Sequence, residues 1–345
     1  MAIIFFILLN ACGKPSTDID DFPIIHNIAD YDSIYSDKND APLGMIAGIE
    51  VVDNVIITQN MNDDYFFAFI DVDKGELLTR WGTRGQSPDE YIQISRSTVS
   101  ENRLVFIDRG KQKIIYVPLS IILKQDTAAN VIKESYTDTP DFRTRYLTVI
   151  GNKKIVAGSF KEGHFGILDA ENRIVSHPFD FPFNYREING IYRGSTFQSL
   201  IKSNSKQCKF AISILCSDIF EIYQISDTGI VITYISPFKH IPQITKKPRE
   251  YSTYAVDYYN SISGLKDMAV SDDFICFSYS SKSYEETVNS GKGFNEILCF
   301  NWMGEKVKKY ILPFNIHTFC IDNNCIYGVR YYDDEIIFYR FNMAL

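Results

Sequence analysis

Alanine and leucine are scarce in this chain. Of 345 residues only 14 are Ala and 16 Leu, against 47 Ile, 17 Val, 25 Phe and 22 Tyr. Helices favour the first pair and strands the second group, so neither a helical bundle nor a helix-rich α/β enzyme is expected. Basic residues are outnumbered, 35 against 43 acidic, and the net charge of -8 argues against a nucleic-acid partner. No apolar run approaches the roughly 20 residues a membrane-crossing helix needs. There is no C-x-x-C pair for a zinc ribbon or a redox site. G-x-S-x-G, H-E-x-x-H and Walker loops are missing as well, and the five histidines (His26, His164, His177, His240, His317) have no ligand spacing. What is present, 45% hydrophobic and 23% charged residues, suits a globular chain and not a disordered one.

The N-terminus reads as an address. Residues 2–9 (AIIFFILL) have the length of a signal-peptide core, although no Lys or Arg precedes them. Leu9-Asn10-Ala11-Cys12 then resembles the lipobox of bacterial lipoproteins, in which the cysteine is acylated and becomes the new N-terminus. Acyl chains contribute about 0.8 kcal/mol per buried methylene, enough to anchor a protein with no transmembrane helix. We therefore divide the chain into a signal peptide with lipidated Cys12 (1–12), a polar, Pro-containing tether (13–21) and a folded body (22–345). The expected location is the outer membrane, by lipid anchor, facing the periplasm or the surface. The tether acids Asp18, Asp20 and Asp21 either solvate the stalk or resemble the acidic stretch that marks some lipoproteins for the outer leaflet.

Six cysteines remain: Cys208, Cys216, Cys276, Cys299, Cys320 and Cys325. A chain this long can bury its own core, and the spacing is too loose for a dense disulfide framework. Cys208 and Cys216 are too far apart on one strand to bridge each other. Cys276 with Cys299, or Cys320 with Cys325, could oppose each other on neighbouring strands. Buried free thiols are the reading we adopt.

The strongest signal is a repeat. A polar turn, two apolar strands, a Gly- or Asp-containing turn and a third strand recur from near Val52, Glu101, Gly151, Lys206, Ser271 and Asp322. Successive starts differ by 49, 50, 55, 65 and 51 residues. Asp73-Lys74-Gly75, Asp227-Thr228-Gly229 and Trp302-Met303-Gly304 each place Gly where a hairpin needs positive φ, and Asn172 serves at a fourth turn. With a weaker strand before each copy, the pattern gives four strands per unit. Six such units describe an all-β, six-bladed β-propeller of four-stranded antiparallel blades. A pair of β-sandwiches predicts the strand spacing but not the six-fold recurrence. The sixth copy lacks its last strand, and residues 22–36 (FPIIHNIADYDSIYS) are expected to supply it and close the ring.

After the first unit comes Trp81-Gly82-Thr83-Arg84-Gly85-Gln86-Ser87-Pro88-Asp89-Glu90-Tyr91. Gly82, Gly85, Pro88, Glu90 and Tyr91 match the G-x-x-G-x-G-P-x-E-[YF] loop that ends the first blade of TolB-like six-bladed propeller lipoproteins from Gram-negative gut bacteria. Ser87 replaces one glycine of that pattern. The C-terminal run CFNWMGEKVKKYIL…IYGVRYY resembles the last blades of the same family. The resemblance covers the mature chain and implies a fold and an envelope location, but no reaction.

Links from an outer strand to the next inner strand lie on one face of a propeller. That rule places Arg84, Gln86, Asp89, Glu90 and Tyr91 at the channel rim, joined from other junctions by Arg143, Arg145, Arg193 and Asp257. Arg binds oxyanions bidentately and Tyr stacks on sugar faces, so this set suits a carboxylate-bearing or carbohydrate ligand. The competing reading is a structural loop, with Arg84 paired to Asp89 or Glu90 and Tyr91 packed between blades. We expect a non-enzymatic, monomeric binding module whose partners are the membrane, through the lipid, and an envelope protein or glycan. No catalytic residue, metal ligand or cofactor is assigned. The alternative is a hydrolase or lyase in the channel, assisted by calcium.

Overall fold

A strand that is apolar on both faces needs cover on both sides, and stacking such strands in radial sheets provides it. The computed structural model describes residues 19, 21–39, 42–124, 130–137, 143–181, 190–237, 240–249, 252–289, 293–322 and 324–343. The signal segment, Cys12 and most of the tether lie outside them.

Six antiparallel sheets are arranged as the blades of a propeller. Their inner strands are Met45–Val52, Thr98–Ser100, Arg143–Ile150, Ser199–Asn204, Ile262–Val270 and Thr318–Asp322. The inner strands of blades 2 to 6 and of blade 1 follow one another round the ring, and Gln59 ties blade 1 to blade 2 through Ser95 and Ser97. Each blade buries both faces. Tyr65–Asp71, for example, has five consecutive buried residues. Among the described residues an apolar cluster fills each of the six junctions between blades, a smaller one gathers Phe181, Phe197, Ile214 and Ile219 by the link from blade 3 to blade 4, and there is no central core. Outer strands are covered on one side only, so Gly229–Ile235 alternates between exposed and half-buried residues. The turn residues Gly75, Gly304 and Asn172 have φ of 65°, 83° and 60°, as their places in the hairpins require.

The ring closes through the N-terminal segment. Tyr31–Ser36 pairs antiparallel with Glu335–Asn342 and becomes the outer strand of blade 6. The same segment also serves blade 5, which the sequence did not reveal: Ile25–Asn27 pairs parallel with Lys306–Ile316. The tether meets the propeller earlier than its composition suggested. Ile19 and Phe22 are buried in the cluster between blades 4 and 5, with Phe22 edge-on to Phe300.

The free-thiol reading fails at one pair. Cys276 and Cys299 face each other directly across two strands of blade 5 and form a disulfide, with Cα atoms 4.2 Å apart. Cys320 pairs with Tyr327 and Cys325 with Asp322, so those two thiols are out of register and stay free. Closing a loop of 23 residues removes denatured-chain entropy worth about 3 kcal/mol. Reductant, or the double change Cys276→Ala and Cys299→Ala, should therefore lower the unfolding midpoint clearly; the double variant should then be insensitive to reductant, whereas Cys320→Ala should keep the parent's full response.

Beyond a 3-10 turn (Asp37–Asn39) and two short helices (Leu119–Ile122 and Tyr284–Asn289), two insertions depart from the four-strand plan. A helix, Gly190–Thr196, lies in the link from blade 3 to blade 4. A hairpin, Ile244–Arg249 with Ser252–Val256, lies in the link from blade 4 to blade 5 and packs against that helix. These are the two links where the repeat spacing widens, and both stand on the face where the inner strands begin.

Candidate functional site

The loop after blade 1 is tied to itself and to blade 2. Across its neck Gly85 N–H donates to the Tyr91 carbonyl and Tyr91 N–H to the Thr83 carbonyl, and Ser87 N–H donates to the Glu90 carboxylate. That backbone donor holds the Glu90 carboxyl below the usual carboxylate range. Tyr91 is buried between Trp81 and Phe106, each ring centroid 5.3 Å away, and burial pushes its hydroxyl pKa up. Buried Asp108 then accepts the N–H groups of Ile92, Gln93, Gly110 and Lys111. Asp89 is exposed and meets Lys133, while Gln86 is exposed. Arg84 does not pair with Asp89 or Glu90. Its guanidinium lies 3.7 Å from the Phe66 ring and donates to the carbonyls of Asp63 and Asn60.

Three inner strands are interrupted by β-bulges near their starts. The register slips between Ile46 and Gly48, between Thr144 and Tyr146, and between Leu265 and Asp267. The extra residues are Ala47, Arg145 and Lys266. A bulged residue has no ladder partner and its side chain is re-aimed. All three bulges point to one place: Ala47, Arg145 and Lys266 each line a cavity of about 350 Å³ at the channel entrance and a wider mouth of about 1200 Å³ above blades 1 and 2. The helix and hairpin of the widened links raise the opposite wall with Ser195, Thr196, Val256 and Tyr258.

The funnel has a floor. Arg96 of blade 2 reaches across the ring to Asp267 of blade 5, Nη2 to Oδ1 at 3.4 Å. Asp267 is fixed in turn by the Thr318 hydroxyl and by the N–H of Met268. Gly48 makes room for this crossing: a Cβ there would lie 2.3 Å from Cζ of Arg96. One layer further in, Lys202 of blade 4 pairs with Glu50 of blade 1, also from opposite sides. The space between the two pairs is about 10 Å³, too small to pass a ligand.

Among the described residues, five cations line the wide mouth (Arg84, Arg96, Arg109, Arg145 and Lys266), and no carboxylate does. The inner cavity has three, Arg96, Arg145 and Lys266, against Asp267 alone. Burial pulls the Lys266 amine pKa down, partly offset by Asp267. Cys216 also faces this cavity, but burial raises its thiol to about 11 and leaves it a poor nucleophile. Among the described residues, no group of three His, Cys, Asp or Glu side chains could hold a metal ion, and no helix is long and apolar enough to cross a membrane.

Of the residues singled out from sequence, the funnel gathers Arg84 and Arg145. Gln86, Asp89, Glu90 and Tyr91 do not line it. Arg193 stacks over Phe181 at 5.0 Å, and the Asp257 carboxylate caps its own turn through Tyr259 and Asn260. The side chain of Arg143 lies outside the described part. Sequence reasoning missed Arg96, Lys266 and Asp267. A usable signal was there: Lys266-Asp267 is a charged pair inside an otherwise apolar inner strand (ISGLKDMAV).

No curated protein matches the chain. Among solved structures it is similar to a conjectured exported protein of Bacteroides fragilis, at 12% identity over 93% of this chain and 99% of that one, with a TM-score of 0.58. A member of the DUF4221 family from Bacteroides vulgatus aligns over 91% of this chain and 97% of its own, at 9% identity and a TM-score of 0.58. The WD40 domain of Neurospora crassa Pan2 aligns over 92% and 97%, at 8% identity and a TM-score of 0.51. At such identities these likenesses show the fold alone. Residues 45–324 match the family described as TolB-like 6-blade propeller-like, and with six blades in place the chain belongs to that family.

Proposed function

We propose that this chain is an envelope-anchored propeller that binds its ligand in the funnel without transforming it. The observation that carries the reading is the floored channel. Two ion pairs span the ring and turn a through-passage into a blind seat, which is the concave, pre-formed shape of a small-ligand site. The lipobox at Cys12 and a disulfide in blade 5 favour a location outside the cytoplasm, where disulfides persist. A calcium-assisted hydrolase is the weaker reading, because the funnel presents cations where a divalent metal would sit and its one inner carboxylate is already committed to Arg96 and Thr318.

Filling the seat tests the proposal. Ala47→Trp should abolish the midpoint shift given by any ligand found in a panel of saccharides, peptides and organic acids, while leaving the unliganded protein folded. Hits that survive the substitution would place the seat elsewhere, and sustained turnover of any of them would overturn the non-enzymatic part. For the anchor, Cys12→Ser should release the protein from the membrane fraction; unchanged retention would remove the lipoprotein assignment.

A further inference from the structure

The funnel's charge is unbalanced, and the imbalance is placed there by structure. The chain as a whole is acidic, with a net charge of -8, so a cation cluster is not an average property of its surface. Two of the three inner cations, Arg145 and Lys266, are the bulged residues of their strands. A bulge gives up ladder hydrogen bonds, and here both give them up at the positions that turn a positive side chain toward the cavity. Neither Arg145 nor Lys266 donates a side-chain hydrogen bond to any described residue. Lys266 has the Phe294 ring beneath it at 4.5 Å and, among the described residues, no carboxylate within ion-pair distance. Arg96, by contrast, already has Asp267 as its partner.

Arg145 is exposed to the cavity, but Lys266 is partly buried, and a partly buried cation without an acceptor is unfavourable unless something else supplies the charge. Three cations against one carboxylate leave two positive charges uncompensated in the inner cavity. We infer that the ligand of this funnel is a dianionic oxyanion compound, a dicarboxylate or a phosphate, gripped between Arg145 and Lys266 with Arg96 behind it. The inference rests on the funnel being the ligand seat. Guanidinium groups bind carboxylate and phosphate in a two-point fork, and an ammonium adds a third contact from another direction. The inner cavity of about 350 Å³ admits a small anion or the charged end of a longer molecule, whose remainder would lie in the wide mouth under Arg84 and Arg109. Tyr146 and Tyr258 flank the entrance and can cover an apolar stretch of such a ligand.

Calorimetric titration of the full chain with succinate, inorganic phosphate and neutral methyl glucoside tests the inference and separates the two sources of charge. One of the two dianions should bind, with an affinity that falls at least tenfold in Lys266→Met and in Arg145→Gln and weakens as salt is raised. Unliganded Lys266→Met should melt no lower than the parent, because a partly buried, unpaired charge has been removed, so the loss of affinity is not misfolding. Binding of neither dianion, equal binding of the neutral sugar, or unchanged affinity in both variants would overturn the inference. If a neutral compound binds and Ala47→Trp abolishes it, the funnel reading stands and only the charge assignment falls.

Discussion

A chain lacking residues 22–36 is expected to be insoluble, or to unfold far below the parent, while one lacking only 13–18 keeps the parent's midpoint. The asymmetry follows from what residues 22–36 touch. Tyr31–Ser36 is the outer strand of blade 6, and without it Glu335–Asn342 presents a row of unpaired backbone groups to solvent. Ile25–Asn27 covers the equivalent edge of blade 5. The deletion also removes Phe22 and Ile28 from two clusters between blades, and Tyr35 from a third, where it packs against Phe338. A propeller has no central core to fall back on, so loosening the seam between its ends loosens every junction. Light scattering and thermal unfolding of the two deletions will check this, and a synthetic peptide of residues 22–36 added in trans should restore solubility to the first. Equal behaviour of the two deletions would mean that the N-terminal segment does not close the ring.

Tyr91→Ala is expected to cost about 3–5 kcal/mol, as for other large aromatic side chains removed from a packed interior. Its ring fills the junction between blades 1 and 2, against Trp81 on one side and Phe106 on the other. Tyr91→Phe should be nearly neutral, because the hydroxyl makes no hydrogen bond to a described residue. A residue held at the surface for binding would behave otherwise, with a change in stability within about ±0.5 kcal/mol. Chemical denaturation of the two variants distinguishes the roles: a quiet Tyr91→Ala would show that the loop is not a wedge between blades.

How much of this was legible in the sequence depended on range. Blade number and hairpin turns were legible because Gly75, Gly304 and Asn172 mark them locally. The closing strand was legible from a missing third strand in the last copy. Arg145 could be placed near the mouth because it follows an outer-to-inner link. The floor was not legible: Arg96 and Asp267 are 171 residues apart, and Glu50 and Lys202 are 152 apart, with nothing local to pair them. Bulges hid the inner strands further, since an extra residue at Ala47, Arg145 or Lys266 breaks the period-two pattern by which strands are recognised. The loop after blade 1 drew attention through its glycines, and those serve the turn more than the site. Gly85, for instance, has the Glu90 carboxylate lying where a Cβ would be.

Diffraction from crystals soaked in selenate, a dianion with its own anomalous signal, would show directly whether the funnel holds an anion. The expected result is an anomalous peak at the base of the funnel, within hydrogen-bonding distance of Arg145 and Lys266 and above the Arg96–Asp267 pair, that disappears in Lys266→Met. An empty funnel with peaks only on the outer blade surfaces, or a peak that persists unchanged in Lys266→Met, would contradict it.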